Sequence, residues 1–483
     1  MRTTQIFYAS TLYGVTTLAA ALDSGCFAPA DRRLLLVANN AAVPETTPSA
    51  AEMPGFAALR DRFDAVLSWN EVISPLHPAG WTPRPDDLPL LQRHLRRLWG
   101  LGDDRIELAV ESVHVTPALT VARLFPDAAL DVYADGLMSY GPTRDKLDPL
   151  VGERVRRLLH PDLVPGLAPL LLAEFGAEPV VVPTEALTKV LAESAAGTAT
   201  DDREDGEGRK DRDDREDGEA GRGAEEGPVL LLGQYLAALS LLTPAEEEEL
   251  HLRMVRGAVA RGHRRLVFKP HPTAPDAWTR SLAGEAERLG AALTVVERPV
   301  LAEVLYRELR PALVVGCFST ALLTARSFYG LPVARVGTRT LLERLTPFRN
   351  SNRVPLVLVD ALVPDLEEPA VPDGRGPGPM SHAETADLVA AVGFAMQPRI
   401  RPDLRETAVR HLSGPSAART RPYLTLRRLT VLGLPGGLPV PRHPRVRRMA
   451  RRALRLKPVL RRVGRGVRSP QAAVRRLKRA LRR

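Results

Sequence analysis

The chain has 483 residues, 44% of them hydrophobic, enough for two or three domains with cores of their own. Its net charge of +10 is confined to one end: residues 442–483 hold 18 Lys and Arg and no acid, which leaves 49 basic against 57 acidic residues before them, a net of −8. Two cysteines, Cys26 and Cys317, exclude a disulfide framework and a cysteine zinc site and fit ordinary buried thiols in a reducing compartment. No apolar run reaches the roughly 18 residues of a membrane span. Residues 1–25 lack the continuous apolar core of a signal peptide and read as a strand, a turn and a helix.

Strand-like and helix-like segments alternate through the first part. Residues 5–9, 33–38, 63–68, 106–110 and 130–133 have strand character, with a last strand at 180–182. Residues 14–22, 88–99 and 117–124 have helical spacing. This alternation predicts a doubly wound parallel sheet over 1–193. Residues 194–228 then lose large apolar side chains, and the acidic run DDREDGE at 201–207 recurs at 213–219. Such a segment cannot bury a core and reads as a disordered acidic linker.

A second alternating unit covers 229–400. Its strands are expected at 229–232, 263–268, 293–296 and 313–316, with a weaker one at 354–359. Its helices are expected at 244–261, capped by Thr243, and at 275–289, 301–309, 321–329 and 381–396, with a Pro/Gly loop at 364–379. From 401 onward the chain reads as a basic, partly helical tail. Apolar residues at helical spacing among arginines (Val446, Met449, Leu454, and again Val474, Leu477, Leu481) suit an anionic membrane surface. Nucleic acid is not expected, because no aromatics interleave the basic residues.

Chemistry concentrates at three strand ends. Phe268-Lys269-Pro270-His271-Pro272 holds an imidazole on a proline-braced turn. Histidine exchanges protons near neutral pH and suits leaving-group chemistry. Upstream, a strand ends in Tyr133-Ala134-Asp135-Gly136, an acid with a glycine behind it that lets a reactant approach. Downstream, Gly316-Cys317-Phe318-Ser319-Thr320 opens a helix with hydroxyls that either cap it or hold an anion with its first amides. Gly233-Gln234 ends the first strand of the second unit. The Ser10–Gly14 loop after the first strand is either a plain β-α turn or part of the acceptor side. The remaining histidines are scattered without metal-ligand spacing, and no GxGxxG, Walker or GxSxG element occurs.

This order of acid-Gly, His-Pro and Ser-Thr motifs resembles the bacterial α-2,8-polysialyltransferase-like family. The layout corresponds over roughly residues 1 to 400. One departure is plain: the first of the family's two acidic positions is Ala134 here, and only Asp135 remains. The resemblance implies a GT-B architecture, two Rossmann-like domains facing across a cleft. It implies an inverting, metal-independent glycosyltransferase without cofactor, moving a sialic acid or related nonulosonate from a CMP-activated donor to a glycan or glycolipid acceptor. Asp135 would be the base and His271 the acid, with Gly233, Gln234, Lys269, Pro272, Ser319 and Thr320 on the donor. The expected location is the cytoplasm, peripheral on the inner membrane face. The alternatives are a transferase using another nucleotide donor and a non-catalytic nucleotide-sugar-binding protein that keeps the fold.

Overall fold

The computed structural model describes residues 1–204, 227–234, 236–271, 275–368 and 380–439. Two parallel sheets organise them. The first contains β1 (Thr3–Ala9), β2 (Arg32–Val37), β3 (Ala65–Ser68), β4 (Arg105–Glu111), β5 (Ala129–Tyr133), β6 (Val155–Pro161) and β7 (Glu178–Val182), in the order 3-2-1-4-5-6-7. The second contains β8 (Val229–Leu232), β9 (Arg265–Lys269), β10 (Ala292–Val295), β11 (Leu313–Gly316) and β12 (Val333–Arg335), in the order 10-9-8-11-12. Strand order reverses between β1 and β4 and again between β8 and β11. At such points the flanking connections leave on opposite faces, and a crevice opens beyond the carboxyl ends of the strands. This is the expected α/β architecture of two Rossmann-like domains in GT-B style.

The strands are apolar on both faces because helices cover both. Along β1, Ile6 and Tyr8 enter one core and Phe7 and Ala9 the opposite one. Along β8, Leu230 and Leu232 face one core, and Val229 and Leu231 the other. Alternate side chains of a strand point to opposite faces, so continuous apolar runs mark strands buried on both sides. The helix Pro244–Ala260 starts at a capping box in which Thr243 and Glu246 satisfy each other's backbone N–H groups.

Four local differences from the sequence reading have physical causes. Residues 354–359 lie in a helix, Arg353–Leu362, not a strand. A six-residue apolar run has no period of its own and is compatible with either when fully buried. β6 and β12 were not anticipated. β6 is interrupted by Arg156 and Arg157, which bind the buried Asp131 of β5, and β12 has only three residues. The assigned linker begins too early. The helix Thr184–Glu204 carries the fold past 194, and buried Ser194 donates to the Gly55 carbonyl. The assigned tail also begins too early. The helices Arg405–Ser413 and Leu426–Leu432 contribute Leu412 and Leu429 to a core shared with Leu137 and Tyr140 of the first domain. Cys317 is buried, but Cys26 is only half-buried. Pro272, the rest of the acidic segment, most of the 364–379 loop and the basic stretch 442–483 lie outside the described residues.

The two domains are joined by direct contacts. Ser327 donates to the Leu163 carbonyl at 2.8 Å, and Arg401 donates to the Leu170 carbonyl at 3.2 Å. The helix His382–Met396 reaches the first domain through Gly393, where an added Cβ would lie 2.6 Å from Leu170. Among the described residues, no helix is long and apolar enough to cross a membrane.

Candidate active site

The motifs singled out in the sequence meet at the carboxyl ends of the two sheets. Asp135 follows β5, and Gly136 behind it adopts ordinary extended geometry. What Gly136 supplies is room: an added Cβ would sit 2.9 Å from the Thr320 hydroxyl of the other domain. Thr320 accepts from the Leu137 N–H at 3.4 Å. The acid-Gly and Ser-Thr motifs, 184 positions apart, are therefore in contact.

Ser319 caps the helix Thr320–Tyr329, accepting from the Ala321 N–H at 3.2 Å. The capping reading of this serine holds, and it leaves the helix end facing the interdomain crevice. Gly233 is required by a second close approach. Its N–H donates to the Lys269 carbonyl at 2.8 Å, and an added Cβ would meet the His271 amide nitrogen at 2.8 Å. Gln234 is buried; its N–H donates to His251 Nε2 at 3.2 Å, and its side-chain oxygen accepts from the Phe318 N–H at 3.5 Å. Gly233-Gln234 thus joins the His-Pro turn to the Ser-Thr turn.

His271 is half-buried. Burial, with the neighbouring Lys269 charge, holds its pKa down to about 4, so the ring is neutral at pH 7. Lys269 therefore faces His271 electrostatically, although strand alternation allowed it to point away. Burial lowers Lys269 itself, and buried Glu303 opposes that shift. Glu303 accepts from the Thr324 hydroxyl at 2.7 Å, and burial raises its pKa. Tyr13 of the first domain feels both Glu303 and Asp135, so the crevice is crossed by one continuous electrostatic set.

The functional residue that sequence reasoning missed is Glu111, the last residue of β4. It is paired in register with Tyr133 of β5, one strand over from Asp135. Ser10 donates to one of its oxygens and Tyr133 to the other, the latter at 3.2 Å. The same Tyr133 hydroxyl also points at the Tyr8 carbonyl, at 3.0 Å. One phenolic proton cannot fully serve two acceptors, which favours a proton on the Glu111 carboxyl. Burial and the Asp135 charge push Glu111 up to about 7, and burial raises Asp135 as well. Thr11 lies within 3.5 Å of Asp135, and Gly14 lets the helix Leu12–Asp23 come close, since a Cβ there would be 2.9 Å from the Tyr133 hydroxyl. A cavity of about 270 Å3 lies against this pair, lined by residues of both domains, Glu111, Asp135, Phe318, Thr320 and Asn352 among them. The available signal was an acid directly after a buried strand, the same placement that marked Asp135.

A half-neutralised carboxylate pair can take one proton from a reactant. Beside it, a helix N-terminus, a lysine and a neutral histidine can receive an anion. A family model described as alpha-2,8-polysialyltransferase matches residues 5–338, a span that runs from β1 past β12 and includes every residue of the three motifs. No match was found among the curated proteins. Among solved structures, the GT-B domain of a sialyltransferase from Photobacterium damselae is 10% identical, with a TM-score of 0.37, 74% of this chain and 96% of that one covered. The UDP-GlcNAc 2-epimerase from Methanocaldococcus jannaschii is 12% identical, with a TM-score of 0.38 and coverage of 69% and 83%. With its motifs gathered in one crevice and the family match spanning both sheets, the chain belongs to the alpha-2,8-polysialyltransferase family of glycosyltransferases.

Proposed function

We propose that the protein transfers a sialic acid, or a related nonulosonate, from a CMP-activated donor to a glycan acceptor with inversion and without a metal. The observation that carries this reading is the contact of Gly136 with Thr320, which sets the acid of one domain beside the anion-receptive helix end of the other. The acceptor oxygen bonds to the anomeric carbon as the bond from that carbon to the phosphate oxygen breaks. Its electron pair leaves with the phosphate.

The acceptor proton passes to Asp135, and His271 supplies a proton to the departing phosphate oxygen. Gly233, Gln234, Lys269, Ser319 and Thr320 hold the nucleotide side. The shared proton on the Glu111–Asp135 pair matters here. The donor already brings a carboxylate and a phosphate, and a second full negative charge beside Asp135 would oppose its binding.

Position 134 carries no acid, but Glu111 supplies a second carboxyl close enough to feel the Asp135 charge, which supports catalysis over a degenerate binding role. The test is donor turnover. The protein with CMP-sialic acid alone should release CMP slowly, and an oligosialic acceptor should accelerate release and grow in length. No release with or without acceptor, despite measurable CMP binding, would leave a binding protein. The basic stretch 442–483 would hold the enzyme to the anionic inner face of the cell membrane.

A further inference from the structure

A second and larger cavity, of about 1000 Å3, lies on the other side of segment 346–355 from the acid pair. Five arginines line it: Arg339, Arg353, Arg399, Arg427 and Arg428. Two of them approach one ring, with the Arg353 guanidinium 4.0 Å from the Phe348 centroid and that of Arg428 at 5.4 Å. Arg353 is only 3% exposed. Its Nε donates to the Phe348 carbonyl at 2.8 Å and one Nη to the Leu345 carbonyl at 2.7 Å. Arg428 spends its donors on the carbonyls of Ala395 and Met396.

Among the described residues no carboxylate pairs with either arginine. The lining acid Asp360 is already engaged by Arg335, Thr338 and Tyr423, and Arg339 pairs with Glu368. Glu343 is the other lining acid and is exposed. Burying guanidinium charge without a counter-ion is costly. Burial, with the like charge of Arg428 nearby, brings Arg353 down to about 10. An anion in the cavity relieves both costs.

The rest of the wall selects the kind of anion. Leu342, Pro347, Phe348, Pro422 and Val431 make it apolar beside the charge. The helix Leu426–Leu432, which supplies Arg427 and Arg428, also exposes Leu426 at 53%, and Leu438 beyond it is 55% exposed. The basic stretch 442–483 follows directly. We infer that this groove binds an anionic lipid, its phosphate headgroup between Arg353 and Arg428 and its chain along the apolar wall toward Val431 and Leu426. The site lies outside the proposed catalytic residues, and its occupancy is independent of the sugar chemistry.

The test uses the full chain and a short-chain phosphatidic acid kept below its micelle concentration, so that no bilayer surface contributes. Calorimetry should show saturable binding of this lipid at least tenfold tighter than inorganic phosphate. Arg427→Gln with Arg428→Gln should weaken the lipid at least tenfold, and the uncharged Val431→Asn should weaken the lipid while leaving phosphate unchanged. Arg353→Met is the sharper variant but lies in the core, and the exposed Arg399→Gln provides a milder loss where it fails to fold. Equal affinity for lipid and phosphate would make this a free-anion site and overturn the proposal. So would unchanged lipid binding in the variants, or displacement of the lipid by oligosialic acid, which would assign the groove to a polyanionic glycan.

Discussion

Glu111 and Asp135 stand at the ends of two neighbouring parallel strands, and burial, with the charge of Asp135, holds a proton on Glu111 well above the usual carboxylate range. The folded state therefore keeps a proton that the unfolded chain has lost. Its stability falls as pH rises from the ordinary glutamate value through the raised one. Glu111→Gln imitates the protonated form and escapes that penalty. The melting temperature of the variant should gain on wild type between pH 5 and pH 8, by about 2–4 °C for each kcal/mol relieved. A melting difference that is flat with pH would take Glu111 out of the pair.

Asp135→Asn should reduce transfer by roughly 10²- to 10⁴-fold, the usual contribution of a positioned base. CMP affinity should stay within about twofold, since the anion-receptive groups lie on the other domain. The pair of measurements is what counts. Retained transfer would move the base to Glu111, and lost CMP affinity would mean that the substitution disturbed the crevice itself.

His271 enters the reaction as a neutral ring, held down to about 4 by burial and Lys269. A bound phosphate supplies the missing counter-charge and should raise that value. CMP binding near pH 6.5 should then take up close to one proton, visible as a dependence of the calorimetric heat on the buffer's ionisation enthalpy. Affinity should weaken by up to about tenfold per pH unit between the free and bound values. His271→Ala should abolish the uptake and weaken CMP. Zero uptake in wild type would remove the acid role and leave a neutral hydrogen-bond donor.

Much of this arrangement was legible in the chain. Asp135, His271 and Ser319-Thr320 each follow a run of buried-strand residues, and strand ends converge in a doubly wound sheet. The parts that were not legible depend on three-dimensional neighbours. Glu111 also stands at the end of a buried strand, but no glycine follows it to single it out; it matters because Tyr133 and Asp135 stand one strand away. The helix Arg353–Leu362 was mistaken for a strand because burial on all sides erases the helical period. The helices after 401 carry many arginines, such as Arg401 and Arg428, that read as a solvated tail. In the structure these guanidiniums bind the carbonyls of Leu170 and Ala395 and so belong to the core.

The approach of Gly136 to Thr320 can be tested by steric rescue. Gly136 is extended, so alanine meets no backbone strain there, only the hydroxyl 2.9 Å away. Gly136→Ala should lower stability by about 1–3 kcal/mol, the usual cost of overpacking, and reduce transfer. Adding Thr320→Ala removes the colliding oxygen and should restore the melting temperature. It should not restore CMP affinity, because Thr320 is assigned to the donor. A double variant no more stable than Gly136→Ala would show that the two motifs do not meet as described.

Removal of residues 442–483 separates charge from catalysis. The truncated protein keeps Leu429 and Leu434, the last residues of the shared core, and carries a net charge of −8 in place of +10. It should fold and should retain turnover of a soluble donor and acceptor, since every proposed catalytic and donor-binding residue lies at or before Thr320. Each basic residue near an anionic surface contributes about 1 kcal/mol, so 18 of them, even heavily discounted for spacing and screening, should dominate attraction to phosphatidylglycerol vesicles. Full-length protein should co-sediment with such vesicles at low salt and release as salt rises. The truncated form should lose most of that salt-dependent part and keep only the weaker binding that the arginine groove supplies. Unchanged, salt-sensitive co-sedimentation after truncation would place the attraction on the folded body and remove the basic stretch from the account.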